Sequence, residues 1–280
     1  MNNVFNINRF GLVLSKDFQE KWKKYSLQFL TMFGIMAVIL TAILYDDYPR
    51  SDYSIYDNRE LLILASFLFL GFGIVFASTF MESMREKTKR IAYLTIPASN
   101  VEKFFSRGLI VTIGYVIAFF IALWLADAVR VAFFSYKYPE LDIRFLDFSK
   151  LINPEKESNY SDYVFFSKSF FVFCISIYAL LQSLFVLGAT FWEKASFIKT
   201  FSAIVVIVFL FIFLNKWMIE IVYHDFDNFG RTLNSAFPKG KFFDSDGSFI
   251  IFICILAFFA LLNWIIAFFR FRESEIIKRL

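Results

Sequence analysis

Histidine occurs once, cysteine twice and proline five times among 280 residues, and only 19% of the chain is charged. Each shortage excludes something. The single histidine, His224, stands beside Asp225 and Asp227 without the ligand spacing of a metal site, and no His-Glu-x-x-His pattern occurs. Cys174 and Cys254 both lie inside apolar runs, so they make no disulfide framework and read as small packing groups. There is no Gly-x-Ser-x-Gly elbow, and Gly240-Lys241 runs into Phe242 rather than the Ser or Thr of a phosphate-binding loop. The chain is therefore expected to be no enzyme, to carry no metal or other cofactor, and to have no nucleic-acid partner. Scarce charge also excludes a disordered polymer, and a soluble domain of this size could not cover so much apolar surface.

What is abundant points to lipid. Residues of the AVILMFWYC set make up 58% of the chain, and 42 are Phe. About 20 mostly apolar residues cross roughly 30 Å of hydrocarbon as a helix. Six stretches qualify: 27–45, 61–80, 108–134, 169–191, 200–219 and 249–268. The third is long enough to tilt or to project beyond the bilayer. The expected class is an all-α polytopic membrane protein with residues 1–26 before the spans and a basic tail, 269–280, after them. No cleavable leader is expected, because a long polar segment precedes the first span.

Charge gives the orientation. With the N-terminus, the second–third loop, the fourth–fifth loop and the C-terminus on one side, that side holds seventeen Lys and Arg against eight Asp and Glu. The other side holds twelve against seventeen. Basic excess marks the cytoplasmic face, so both termini are expected there, in a bacterial inner membrane. All five prolines fall outside the spans, which argues for continuous helices packed as one bundle.

Before the first span, Phe10, Val13, Leu14, Phe18 and Trp22 recur at helical steps, with Arg9, Lys16, Lys21, Lys23 and Lys24 around them. The pattern predicts an amphipathic helix lying on the membrane surface among anionic lipids. The second–third loop predicts more: a charged helical stretch to Arg90, a short apolar one through Ile91, Tyr93 and Leu94, a stop at Pro97, and then a capping box of Ser99 and Glu102. From that cap a helix continues into the third span.

Within the spans, Asp127 and Arg130 are three residues apart near the outer end of the third and are expected to pair at the interface. Ser66, Tyr178, Gln182 and Asn263 are the uncharged polar groups best placed to face a substrate, although hydrogen bonding between helices accounts for most such residues. So little fixed charge argues against an aqueous ion path. The long outer segments, 135–168 and 220–248, are expected to form short capping helices or irregular loops.

In the order of these parts the chain resembles the six-span permease subunits of type-2 ABC exporters. The resemblance is carried by the amphipathic N-terminal segment, the six spans and the ending Leu94-Thr95-Ile96-Pro97-Ala98-Ser99, which is similar to the Leu-x-Leu-Pro-like end of that family's coupling helix, with Ile96 for the second Leu. It implies a separate ATP-hydrolysing subunit in contact with Arg90, Ile91, Tyr93, Leu94, Pro97, Ser99 and Glu102. A second, smaller contact would come from the fourth–fifth loop at Glu193, Lys194 and Phe197. It also implies a second permease copy or paralogue and the outward movement of an amphipathic, lipid-like or peptidic substrate. The chain departs from larger exporters in carrying no fused nucleotide-binding domain and no large outer domain. A non-transporting scaffold or sensory subunit that recruits a cytoplasmic partner would share most of these features.

Overall fold

The computed structural model describes residues 5–45, 58–84, 86–140, 143–151, 164–165, 167–192, 194–223 and 246–277. His224 and the greater part of the outer segments fall outside them. Among the described residues the secondary structure is helical and no strand occurs. Six helices are long and apolar enough to cross a membrane.

The first is α1, Ile7–Leu44, capped by the Asn6 side chain, which accepts from the Asn8 and Arg9 N–H groups. No proline interrupts it, and at about 1.5 Å per residue it is about 57 Å long. The expected boundary near residue 26 does not exist. The amphipathic segment is the first half of the same helix that forms the first span, with no break between them. Its stripe is divided between protein and outer surface. Val13 and Asp17 are buried, whereas Phe18 and Trp22 are 52% and 58% exposed.

Helix α2, Asn58–Ala77, ends in a 3-10 turn, Glu82–Met84, followed by the short α3, Lys87–Leu94. Next come α4, Asn100–Leu109, a π-helical stretch, Ile110–Gly114, and α5, Tyr115–Lys137, which form one unbroken rod. The wide π turn presents the Val111 carbonyl to α6, Lys168–Phe191, where Gln182 Nε2 donates to it at 3.2 Å. Helix α7 is Ser196–Tyr223 and α8 is Asp246–Ile277, so the expected tail continues α8 as helix to residue 277.

The α1 rod and the α4–α5 rod run side by side in the same direction over their whole length. Arg9 meets Glu102 at one end, Asp17 meets Arg107 further along, and the Lys137 Nζ lies 3.6 Å from the Tyr45 ring centre at the other end. Two core clusters stack along this axis. One, toward Tyr45, joins Met36 and Leu40 of α1, Leu61 and Leu62 of α2, and Tyr115 and Phe119 of α5. The other joins Phe80, Tyr93, Phe104, Phe185 and Phe271. Because Phe271 of α8 packs on both Tyr93 and Phe104, the start of α1 and the end of α8 lie at the same end of the bundle. Helix α8 pairs with α6 through Phe249 on Phe170 and Phe173, and through Asn263 Nδ2, which donates to Ser183 Oγ at 2.9 Å.

One helix departs from the compact bundle expected from sequence. Helix α7 touches α6 through its first turns, where Phe197 stacks on Phe185 at 5.6 Å. Beyond Val205 nearly all of its residues are exposed.

Candidate functional site

At the end of the bundle where α1 starts and α8 ends, the local sequence builds a clasp. Ser99 caps α4 by accepting from the Glu102 N–H at 3.2 Å, and Glu102 Oε2 accepts the Ser99 N–H at 2.8 Å. This is the capping box expected from sequence. Its other oxygen does something the sequence does not announce. Glu102 Oε1 accepts from the Asn6 N–H at 2.6 Å and from Arg9 Nη2 at 3.0 Å. One fully buried carboxylate thus closes the first turns of both α1 and α4. Glu102 lies in the first turn of α4, ahead of the apolar stretch that starts at Gly108. Burial would raise its carboxyl, but the Ser99 and Asn6 N–H groups and Arg9 outweigh that and hold it below the usual carboxylate range.

Helix α3 is bolted to this clasp by Tyr93. The Tyr93 hydroxyl donates to the Lys103 carbonyl at 3.0 Å, and its ring packs on Phe271 at 6.4 Å between centres. The Arg107 guanidinium lies 3.6 Å from the ring centre, an arrangement favourable to a cation over an aromatic face. The opposite side of α3 is open: Thr88, Ile91, Ala92 and Thr95 are exposed at helical spacing, Ile91 by 53%, and Pro97 is exposed just after them. The result is a short helix with one face presented outward and the other fastened to two long rods.

The second loop reaches the same end. Ala195 turns the chain with a φ of 54°, and the buried Ser196 hydroxyl donates to the Ser78 carbonyl at the foot of α2 at 2.9 Å. Lys194 and Ile198 are exposed, while Phe197 turns inward against Phe185. Gly188 of α6 faces Thr200 so closely that a Cβ there would sit 1.9 Å from the Thr200 hydroxyl.

The expected site residues are therefore sorted by the fold. Ile91 and Pro97 are exposed, Arg90 is half-buried, and Tyr93, Ser99 and Glu102 are framework. Glu193 and the Leu94 side chain lie outside the described residues. Of the amphipathic set, Phe10 and Leu14 are half-buried, and Phe18 and Trp22 face outward. The four polar residues of the spans sit in different settings. Ser66 Oγ donates to the Leu62 carbonyl of its own helix, and Gln182 and Asn263 bridge helices as described. Tyr178 packs beside Phe69 at 4.7 Å and against Gly73, its hydroxyl buried without a hydrogen-bond partner.

Asp127 and Arg130 pair at 2.6 Å, as expected, but in a buried setting rather than an exposed interfacial one. The Leu146 N–H donates to Asp127 Oδ2 at 2.8 Å, and Arg130 Nη2 donates to the Arg144 carbonyl at 2.8 Å. The pair pins the segment after α5 down onto that helix.

Sequence reasoning missed the inward polar stripe of α1. Arg9, Asp17, Lys21 and Lys24 meet Glu102, Arg107 and Glu82, with Lys24 paired directly to Glu82. The signal was present in the four-residue step from Asp17 to Lys21, a charge-bearing face that a search for apolar stripes overlooks. Comparison with protein-family models, curated proteins and solved structures finds no match.

Proposed function

We propose that the chain is the membrane-spanning permease subunit of an ABC-type exporter in a bacterial inner membrane. It works as a dimer with a second permease and is driven by a separate ATP-hydrolysing subunit on the basic, cytoplasmic face. The observation that carries the reading is α3: its exposed side, Ile91 above all, is available to a partner, and its buried side is tied through Tyr93 to α4 and α8. A push on the exposed side is delivered to Ser99 and Glu102 and then along the α4–α5 rod, which is about 57 Å long by its residue count. Lys194 and Ile198 add the second contact. The substrate is amphipathic, lipid-like or peptidic, and the chain itself carries out no chemistry.

A second reading, a non-transporting scaffold that recruits the same kind of cytoplasmic partner, is favoured by the aromatic filling of the centre. There Phe69 lies within 6 Å of the Tyr115, Phe119 and Tyr178 rings.

Purification from native membranes separates the two. The permease reading expects an ATP-hydrolysing protein to co-purify, with Ile91→Glu weakening that association about tenfold, or about 1.4 kcal/mol. Tyr93→Ala should leave the association in place and uncouple hydrolysis from transport in vesicles. Parent protein that retains no such partner, or an Ile91→Glu variant equal to the parent, overturns it.

A further inference from the structure

Arg107 is placed where an arginine is costly. It is 3% exposed, it stands immediately before Gly108 where the apolar stretch of the third span begins, and none of its three guanidinium nitrogens has a hydrogen-bond partner. The nearest carboxylate oxygen, Asp17 Oδ2, is 3.9 Å from Nε, an ion-pair distance but not a hydrogen bond. Asp17 is itself engaged by the Ser106 hydroxyl at 3.3 Å. The Tyr93 ring offers a face 3.6 Å from the guanidinium carbon but takes no N–H in the guanidinium plane, so the three nitrogens still forfeit part of their solvation unless something else completes them.

The space beside it has the right lining. Arg107, Lys21, Lys24, Tyr25, Thr79, Phe80, Glu82 and Val111 line a small recess of about 10 Å³ that opens to solvent. Lys21, Lys24 and Tyr25 are the half-buried part of its lining, and it has room for about one water-sized atom. Three cations converge with two carboxylates, Asp17 and Glu82, so one positive charge is left over. The crowding shows in Lys21, whose ammonium is brought down to about 8 by burial and by Arg107. The recess also lies at a defined depth: Lys21 and Lys24 precede the apolar stretch from Leu27, and Arg107 precedes that from Gly108. That is the level of lipid phosphates, where basic pockets between helices take anionic headgroups.

We propose that this recess binds a phosphate group, one oxygen set in it against Arg107 and the others held by Lys21 and Lys24. The binding closes the joint between α1, the 3-10 turn after α2, and α4, and it holds whether or not the chain transports anything.

The test uses the purified full chain in neutral detergent. Native mass spectrometry reads retained lipid after titration with phosphatidylglycerol or with phosphatidylcholine, and thermal unfolding reads the effect of inorganic phosphate. The parent should retain phosphatidylglycerol about tenfold better than phosphatidylcholine if the source is a headgroup, or be raised in melting temperature by phosphate if it is a free anion. Either result supports the site and tells the two sources apart. Arg107→Gln should abolish the preference. Should that variant not fold, Lys21→Gln with Lys24→Gln should reduce it about tenfold, while loss of the exposed Lys23 as Lys23→Gln leaves it unchanged. The preference should also weaken as pH rises through about 8, where Lys21, facing Asp17, Lys24, Glu82 and Arg107, gives up its proton. Equal retention of the two lipids together with no response to phosphate, or a folded Arg107→Gln that behaves as the parent, overturns the proposal.

Discussion

Helices α5 and α7 are almost equally apolar, yet in the candidate span containing α5 39% of the apolar window is buried, against 6% for α7. The difference lies in side-chain size and polarity along one face. Helix α5 repeats Tyr115, Phe119, Ala122, Ala126, Asp127, Arg130 and Phe134 on its buried side, so small residues admit a neighbour and polar ones bind it. Helix α7 has small residues only at its start, Ser196, Thr200, Ser202 and Ala203, and there Thr200 meets Gly188 of α6. From Ile204 to Leu214 every residue is bulky and apolar, with nothing to admit a close partner. Hydropathy identifies both as spans. The positions of Ala, Gly, Thr and the few charges decide which one becomes core.

The contrast can be broken by substitution, the largest effect coming first. Asp127→Ala would strand the buried Arg130 and should cost about 3–5 kcal/mol, read as a fall in the detergent unfolding temperature and release of the 143–148 segment to protease. Phe119→Ala should cost about 3 kcal/mol by leaving a cavity among Phe69, Tyr115 and Phe120. Gly188→Ala should cost about 1–3 kcal/mol by driving α6 and α7 apart, and Thr200→Ala should restore part of the loss, a pairing that only the close approach explains. Phe211→Ala on α7 should move stability by no more than about 0.5 kcal/mol. If Phe211→Ala cost as much as Phe119→Ala, or changed the oligomeric mass, α7 would be a buried helix after all and the comparison would fail.

The same distinction governs what could be read from sequence. The six spans were legible because bilayer thickness and helix rise leave little freedom in length. So was the start of α4, since Ser99 and Glu102 carry a local signal in a three-residue spacing. The inward packing of the charged face of α1 was not. Amphipathic periodicity locates an apolar stripe without saying whether protein or lipid will cover it, and here lipid-side exposure belongs to the aromatics while the charged face goes inward. Nor was the second use of Glu102, because its partners Asn6 and Arg9 are more than ninety residues away in the chain. Gln182 and Asn263 were recognisable as polar groups within spans, but only the packing of α6 against the π turn and α8 reveals what they bond.

That shared carboxylate has a consequence for biogenesis. The Asn6 N–H and the Glu102 oxygen that closes it are 96 residues apart. A ribosome adding about 5–20 residues per second needs roughly 5–20 s to supply the second after the first. Throughout that interval the first helix keeps its Asn6 cap but lacks its clasp, and by the end of it two spans have been made. The N-terminal rod is thus fastened by the third span, so a chain truncated before residue 102 should enter the membrane with its first helix capped by Asn6 but not clasped.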